Sequence, residues 1–555
     1  MDKYERVIEM AKRRGFLWQS FEIYGATAGF WDFGPLGTVL KRRIENLWRE
    51  FYVISEGFYE IEGPTIGIED VFIASGHVGG FVDLMVECRK CGGAFRADHL
   101  IEKHDNGCPE CGGVLGDPCD FNLMFKTTIG TDSKRIGYLR PETAQNIFTA
   151  FGRLVWFYRN RLPFGVAQIG KVYRNEISPR QGVIRLREFT QAEAEIFVHP
   201  KEKRHPRFES VADTVVRLYP KEEQDGGSAV DITVGEAVEK GIIAHQFLGY
   251  HIALVQSFLT DVGIPLEKLR FRQHRVDEIA HYAIDCWDAE TLTDRFEWIE
   301  IVGIADRTDY DLKSHSKHAH ADMRVFVPYD CPKTVERLVI KPNMGVLGPK
   351  FKDMAAKVAD ELKALSIDQL RGEEITIQVD SEIVRIDPKW IEYEHVTEEA
   401  QGEYVVPHII EPSYGIDRIV YALLEHSFDE ECVEGEARVV LRFPPNVAPI
   451  QVAVFPLVSK DGLIVCARGV ESLLRQNKLL VDYDESGTIG RRYRRHDEIG
   501  TPLAVTIDHQ TLEDNTVTIR DRDSMKQVRV RTDEVVEIVC GLLSGDDYIG
   551  LYSTM

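Results

Sequence analysis

Residues 174–189 read RNEISPRQGVIRLREF. Two β-leaning arms flank the Ser-Pro-Arg-Gln-Gly run at 178–182, so the stretch predicts a hairpin closed by a turn. Side chains two apart share a strand face, and Arg174 and Glu176 can therefore meet one ligand together. Arg185 and Phe189 stand on the other arm. Two arginines, a carboxylate and an aromatic ring suit a nucleotide: a planar guanidinium donates paired hydrogen bonds to phosphate, a carboxylate accepts from an exocyclic amine, and a ring stacks on a base. The same charges also suit a solvated hairpin with cross-strand ion pairs. The stretch alone leaves both readings open.

The 555 residues exceed what one core usually serves, so at least two domains are expected. A formal net charge of −23 means that a polyanionic partner must be met by a local basic patch. The first 18 residues, MDKYERVIEMAKRRGFLW, are charged and amphipathic with no apolar core of a leader, and no run of 18 apolar residues follows; a soluble, cytoplasmic protein with no membrane partner is expected.

Four of the ten cysteines fall as Cys88-x2-Cys91 and Cys108-x2-Cys111, each pair followed by two glycines. This is the spacing of a structural zinc site, in which four thiolates close a tetrahedron and leave no open position for catalysis. The remaining cysteines are scattered, as in a reduced chain.

PLGTVLKRRIENLWREFYV (35–53) predicts a helix opened by Pro35, and FYEIEGPTI (58–66) a strand ending near Pro64. Beyond the zinc segment, at about 85–120, come a helix at 142–160 and a strand at 164–174. Stretches at about 200–280 and about 315–400 read as insertions. GVLGPKF lacks phosphate-loop spacing, and no G-x-G-x-x-G opens a helix, so P-loop and Rossmann readings lose their main support. Texture changes at RFPPNVAPIQVAVFPL (442–457). A catalytic domain over 1–445 and a smaller α/β domain over 446–555 are expected.

Three stretches fit the ordered motifs of class II aminoacyl-tRNA synthetases: FYEIEGPTI; RNE with RLREF; and EPSYGIDRIVYALLEH (411–426). With GFWDFGPLG, RPETAQ, REFTQAEAE, WIEIVGIADRTDYDL and GRRYRR added, the chain resembles the glycyl-tRNA synthetases of the dimeric archaeal and eukaryotic type from about residue 25 to the end.

The resemblance implies an α+β fold: a six- or seven-stranded antiparallel catalytic sheet with insertions, one of them zinc-binding, and a C-terminal α/β anticodon-binding domain. It implies a homodimer that activates glycine with ATP and transfers it to the 3′ end of glycine tRNA. It places Arg174 on the α-phosphate, Glu176 on the adenine amino group, Arg185 and Arg418 on the outer phosphates, and Phe189 against the adenine. Arg174 and Arg418 become the catalytic pair. Asn175, Leu186 and Ile301 join the ATP set, and Glu300 serves ATP through Mg2+. For glycine it implies Glu142, Glu193, Arg307, Glu411 and Ser413, with Arg307 on the substrate carboxylate. Most of the class carries glycines where this chain has Glu411 and Ser413, which puts a carboxylate and a hydroxyl where others leave room for a substrate side chain.

Arg491, Arg492, Tyr493, Arg494 and Arg495 form the densest basic run and, with Tyr493 as a stacking surface, are candidates for tRNA. Asp497 and Glu498 follow directly, so a solvated, acid-paired segment is the competing reading. Lys341 and Lys350 are weaker candidates for the acceptor arm. Two competing functions are a non-catalytic synthetase-like nucleic-acid-binding subunit, which would lose the ATP residues, and a zinc-ribbon binding protein, which leaves most of the chain unexplained.

Overall fold

The computed structural model describes residues 2–97, 100, 107–131, 134–179, 182–278, 283–364, 375–379, 382–433, 435–460 and 462–546. The apolar alternation on either side of the opening stretch forms two long neighbouring strands. They sit in a sheet of nine: β1 (Tyr59–Glu60), β2 (Phe164–Tyr173), β3 (Glu188–Val198), β4 (Val215–Tyr219), β5 (Val230–Thr233), β6 (Leu269–Gln273), β7 (Asp285–Thr293), β8 (Glu297–Thr308) and β9 (His408–Gly415). The order is β5-β4-β6-β7-β8-β9-β3-β2-β1, antiparallel except at β1–β2 and β4–β6.

Two expectations are corrected here. The sheet has nine strands where six or seven are implied, because the stretch at about 200–280 is not set apart: its strands β4, β5 and β6 extend the sheet. The opening stretch is the loop of the hairpin rather than its arms. β2 ends at Tyr173 and β3 begins at Glu188, with a short 3-10 turn at Gly182–Ile184 between them. Arg180 and Gln181 of the expected turn lie outside the described residues.

One sheet face is apolar. Ala192, Ala194, Ile196 and Val198 of β3, with Val302, Ile304, Ile410 and Tyr414, join the main core with three helices: α1 (Pro35–Arg49), α2 (Gln246–Val262) and α4 (Ile416–Ser427). Pro35 opens α1 at a position where a missing N–H costs nothing, and Leu40, Ile44, Leu47 and Trp48 form its buried stripe. α2 starts where the His245 ring accepts from Leu248 N and stops at Gly263, whose φ of 109° a side chain would strain. The other face of β3 carries Gln191, Glu193 and Glu195, by the period of two. The helix α3 (Tyr310–Ala319) follows β8.

The cysteine segment holds a small sheet of Val82–Glu87, Ala94–Arg96 and Cys119–Asn122. Near the C-terminus, β10 (Val452–Pro456), β11 (Val481–Tyr483), β12 (Leu503–Ile507), β13 (Thr516–Asp521) and β14 (Gln527–Arg531) form a sheet in the order β11-β10-β12-β13-β14. It has its own core, to which the helices Leu463–Gln476 and Val535–Leu543 contribute. Residues Arg324–Val405 form a separate compact unit, in which the strands Val325–Pro342 and Ile391–Val405 pair and a small core gathers Leu347, Val358, Leu362 and Ile377.

Candidate active site

At its polar face the large sheet carries a cleft lined by Arg174, Glu176, Arg185, Leu186, Phe189, Glu300, Ile301, Ser413 and Arg418. These include eight of the nine residues expected around ATP. The ninth, Asn175, is absent from the cleft wall, and its backbone N–H bonds Leu123 O at 2.8 Å.

The loop conformation, not strand alternation, aims these groups. Arg174 leaves the end of β2 with its N–H on Arg187 O at 3.0 Å, and its Nε donates to Pro141 O at 3.2 Å. Its guanidinium lies 5.3 Å from the Phe189 ring centre and 5.6 Å from that of Phe81, two aromatic faces that fix its plane. Arg418, in the first turn of α4, is held by Ile184 O at 3.0 Å and by Glu300 through both its carbonyl (2.9 Å) and its carboxylate (3.1 Å). Arg185 sits 3.7 Å from Glu176; burial, then the nearby Arg96 and Arg418, pull its pKa down while Glu176 holds it up. Behind Arg418, Asp417 is buried and bound by Lys41 Nζ of α1 at 2.8 Å and by Thr190 N of β3. That buried pair fixes the helix start that presents Arg418.

Beyond Ser413 the polar face turns acidic. Glu193 accepts from Thr143 N at 2.8 Å, from the Thr143 hydroxyl and from Ser413 Oγ at 2.7 Å. Arg307 donates Nη1 to both oxygens of Glu411 at 2.9 and 3.0 Å, and through Nε and Nη2 forms a fork on Asp311 at 2.9 and 3.1 Å. Glu142 stands 3.6 Å from the same guanidinium and 3.7 Å from His77 Nε2, and Gln145 Nε2 bridges it to Asp311 at 2.8 and 3.1 Å.

This geometry corrects one expectation. Arg307 is 3% exposed and its nitrogens are taken by carboxylates of the protein, so its position is that of a counter-charge which assembles the acidic niche rather than a hand held out to a substrate carboxylate. Glu142, Glu193, Glu411 and Ser413 do converge on the niche. Burial would raise Glu142, yet Arg307 and His77 hold it well below the usual carboxylate range. Glu411 goes the other way: burial, with Glu193 and Glu142, pushes it up to about 7 against the pull of Arg307.

Asp311 and Glu195 were not singled out from sequence. Asp311 lies within WIEIVGIADRTDYDL, four residues after Arg307, but nothing in that stretch marks it as the partner of Arg307 until the turn into α3 brings the two together. Glu195 had a signal, the Glu-x-Glu alternation of QAEAE, which places it on the face of Glu193.

Four thiols stand together: Cys88 and Cys111 Sγ are 3.5 Å apart, Cys91 and Cys108 Sγ 3.6 Å, and all four lie within 4.8 Å of one another. Disulfides would need about 2.05 Å. The spacing instead fits the edges of a tetrahedron with metal–sulfur bonds of about 2.3 Å.

The basic run at 491–495 lies on α5 (Ile489–Glu498), and here the sequence reading needs correction. Arg492 points inward, 2% exposed, with its guanidinium on Pro456 O and Gly487 O. Tyr493 packs on Phe455 and bonds Thr506 Oγ1 at 2.6 Å, so its ring is not a free stacking surface. Arg495 pairs with Asp484 and Arg494 lies 3.6 Å from Asp497; Arg491 is exposed. Lys341 faces Glu394 at 3.1 Å, and Lys350 lies 3.5 Å from the centre of the Trp390 ring.

Residues 125–427 match the tRNA synthetase class II core domain (G, H, P, S and T), and residues 451–541 the anticodon binding domain. The chain is 56% identical to the glycine–tRNA ligase of Methanothrix thermoacetophila over 98% of both chains. It is 49% identical to that of Pyrococcus furiosus over 98% of this chain and all of the other. This chain belongs to the glycine–tRNA ligase family. Among solved structures, a Giardia lamblia prolyl-tRNA synthetase in complex with prolyl-adenylate covers 98% of this chain and 78% of its own at a TM-score of 0.53 and 14% identity, a likeness of fold alone. For a member of the glycine–tRNA ligase family, the third motif at 411–418 lies where two sites meet: Glu411 and Ser413 face the acidic niche, Arg418 the arginine-lined cleft.

Proposed function

We propose that this member of the glycine–tRNA ligase family activates glycine with ATP to glycyl-adenylate and then transfers the glycyl group to the 3′ end of glycine tRNA. One observation carries the reading: an arginine-lined cleft adjoins a buried acidic niche, and Ser413 belongs to both.

The cleft suits a nucleoside triphosphate. Arg174, Arg185 and Arg418 bring three cations to one wall, and Phe189 offers a ring. Glu176 has a buried oxygen with no hydrogen-bond partner, an acceptor waiting for the adenine amino group. Glu300 is half-exposed beside Arg418, a carboxylate where triphosphate-bound Mg2+ would need one; when present, Mg2+ supplies charge neutralisation to the phosphates. The substrate carboxylate attacks the α-phosphorus in line, Arg174 meets the developing charge, and pyrophosphate departs along Arg185 and Arg418. Positioning and electrostatics suffice, and no general base is assigned.

The niche suits an ammonium group with nothing beyond it. Glycine offers no side chain to bind, so selection rests on carboxylates around the ammonium and on lack of room. Alanine overpacks such a niche at about 1–3 kcal/mol, and no smaller amino acid exists to be rejected. Arg307 is reassigned from the substrate carboxylate to holding Glu411, Asp311 and Glu142 in place.

The remaining assignments follow the same reading. The thiols of Cys88, Cys91, Cys108 and Cys111 hold a structural zinc ion. The domain from about 446 onward takes the tRNA anticodon end through surface cations such as Arg491. A homodimer in the cytoplasm is expected. ATP–pyrophosphate exchange measured with each of the twenty amino acids tests the reading. Stimulation by glycine alone is the expected outcome; stimulation by alanine or serine, or by none, overturns it and in the last case revives the non-catalytic subunit.

A further inference from the structure

Glu195 is completely buried, and neither of its carboxylate oxygens has a hydrogen-bond partner. Its neighbours are provided for. Glu193 takes its donors from Thr143 and Ser413, and Glu411 takes both of its bonds from Arg307. Glu195 stands on β3 between the register pairs Glu193↔Ser413 and Ile196↔Ile410, which sets it level with Glu411. Oxygens of the three carboxyl groups lie within 4.8 Å of one another.

An ionised carboxylate in that place would be a buried charge with no donor and two like charges beside it. Such a group neutralises itself by taking up a proton. Among the groups facing it Arg307 pulls toward the ionised form, but burial and the neighbouring carboxylates outweigh that pull. Glu193 comes from its own strand, Glu411 from β9, Arg307 from β8 and Asp311 from α3, and Arg307 is already saturated by Glu411 and Asp311. On the β2 side its register partner is Val166, which brings no charge. Burial first, then Glu411 and Glu193, push the Glu195 carboxyl well above its ordinary value.

We propose that Glu195 is a positioning residue held as the neutral acid in the free protein, and that it yields its proton when the substrate ammonium enters the niche, so that amino-acid binding releases about one proton. The proposal rests on the function argued above. The balance is simple: the acid O–H breaks, the proton passes to solvent buffer, and the carboxylate left behind faces the ammonium cation. Net charge in the niche is the same before and after. Full countercharge appears only when a cation has arrived, so the empty protein never holds an extra buried anion.

Isothermal titration of the full-length protein with glycine, in two buffers of different ionisation enthalpy, counts the protons. About one released per site is expected for the wild type, and none for Glu195→Gln, whose amide copies the shape of the neutral acid. In exchange assays the wild-type KM for glycine should fall as pH rises, while Glu195→Gln gives a weaker KM with a shallower pH dependence, the remainder belonging to Glu411. A purely structural role moves neither slope nor proton count. Should the variant not fold, the wild type alone decides by infrared difference spectroscopy, where glycine should abolish a protonated carboxylic acid band. Wild-type binding without proton release overturns the proposal, as does release that persists in Glu195→Gln, which would put the proton on Glu411. Glycine that neither binds nor stimulates exchange sinks the functional reading itself, a result distinct from binding without release.

Discussion

Arg307 joins three carboxyl groups through one guanidinium, and its planar fork is what allows it. Lysine at that position would keep the charge and lose the fork. Arg307→Lys should therefore lower kcat/KM for glycine by at least about 100-fold while ATP binding, measured with a non-hydrolysable analogue, changes little. Glu411→Ala should abolish glycine-dependent exchange. Its cost to folding should be about 1–3 kcal/mol in a urea titration, since Arg307 keeps the Asp311 fork. The residues proposed for ATP belong to local motifs, and the structure gathers eight of those nine in one cleft. The role of Arg307 could not be found from a local motif, because Asp311 and Glu411 reach it from two other elements.

At the scale of elements, the segment of the cysteine knuckles has a small core, Val86, Cys88, Phe95, Ala97 and Cys108 among the described residues, so the zinc ion proposed above would be its main brace. Cys108→Ser should abolish bound zinc, measured by atomic absorption, and speed amide exchange over Val82–Glu87 and Cys119–Asn122 while the nine-stranded sheet stays protected. Strand β8 carries a second buried ion cluster. Burial would raise Asp306, but the His245 hydrogen bond and Lys203 draw it from 3.8 down to about 2, with His408 nearby at 3.9 Å. A depressed carboxylate contributes stability above its unfolded value and loses it as pH falls through the folded one. The deficit of Asp306→Asn should thus be about 2 kcal/mol at pH 6 and vanish between pH 4 and 2, as read by urea unfolding at each pH. Element-scale reading failed at α5. A basic run in sequence carries no mark of which arginine points inward, and the fold sends Arg492 to the carbonyls of Pro456 and Gly487.

Over the whole molecule, Arg438 links the catalytic part to the C-terminal sheet. Fully buried, it bonds Asp497 of α5 at 2.8 Å, and Asp497 also holds Arg520 of β13 at 2.9 Å. Arg438→Ala leaves Asp497 with Arg520 and the more distant Arg494, and a loss of about 3–5 kcal/mol, or a first unfolding step in which the C-terminal sheet melts separately, is expected by calorimetry. The unit Arg324–Val405 has its own core, and its first and last strand residues, Val325 and Val405, are register partners. Replacing it by a short glycine-serine link should leave glycine-dependent exchange within about threefold of the wild type. Sequence texture placed a discrete segment near that unit, but treated 200–280 in the same way. Polar linkers look alike whether the strands beside them leave the main sheet or extend it.

The sequence by itself determined the motif-bearing loop, the four clustered thiols and the family, because each is written in residues close together along the chain or in order within it. The sheet's full width, the counter-charge role of Arg307, the inward turn of Arg492 and the unpartnered state of Glu195 were decided by tertiary structure alone. Each depends on which groups from distant segments share a low-dielectric space. There a charge is defined by its neighbours, and the order of residues does not say who those neighbours are.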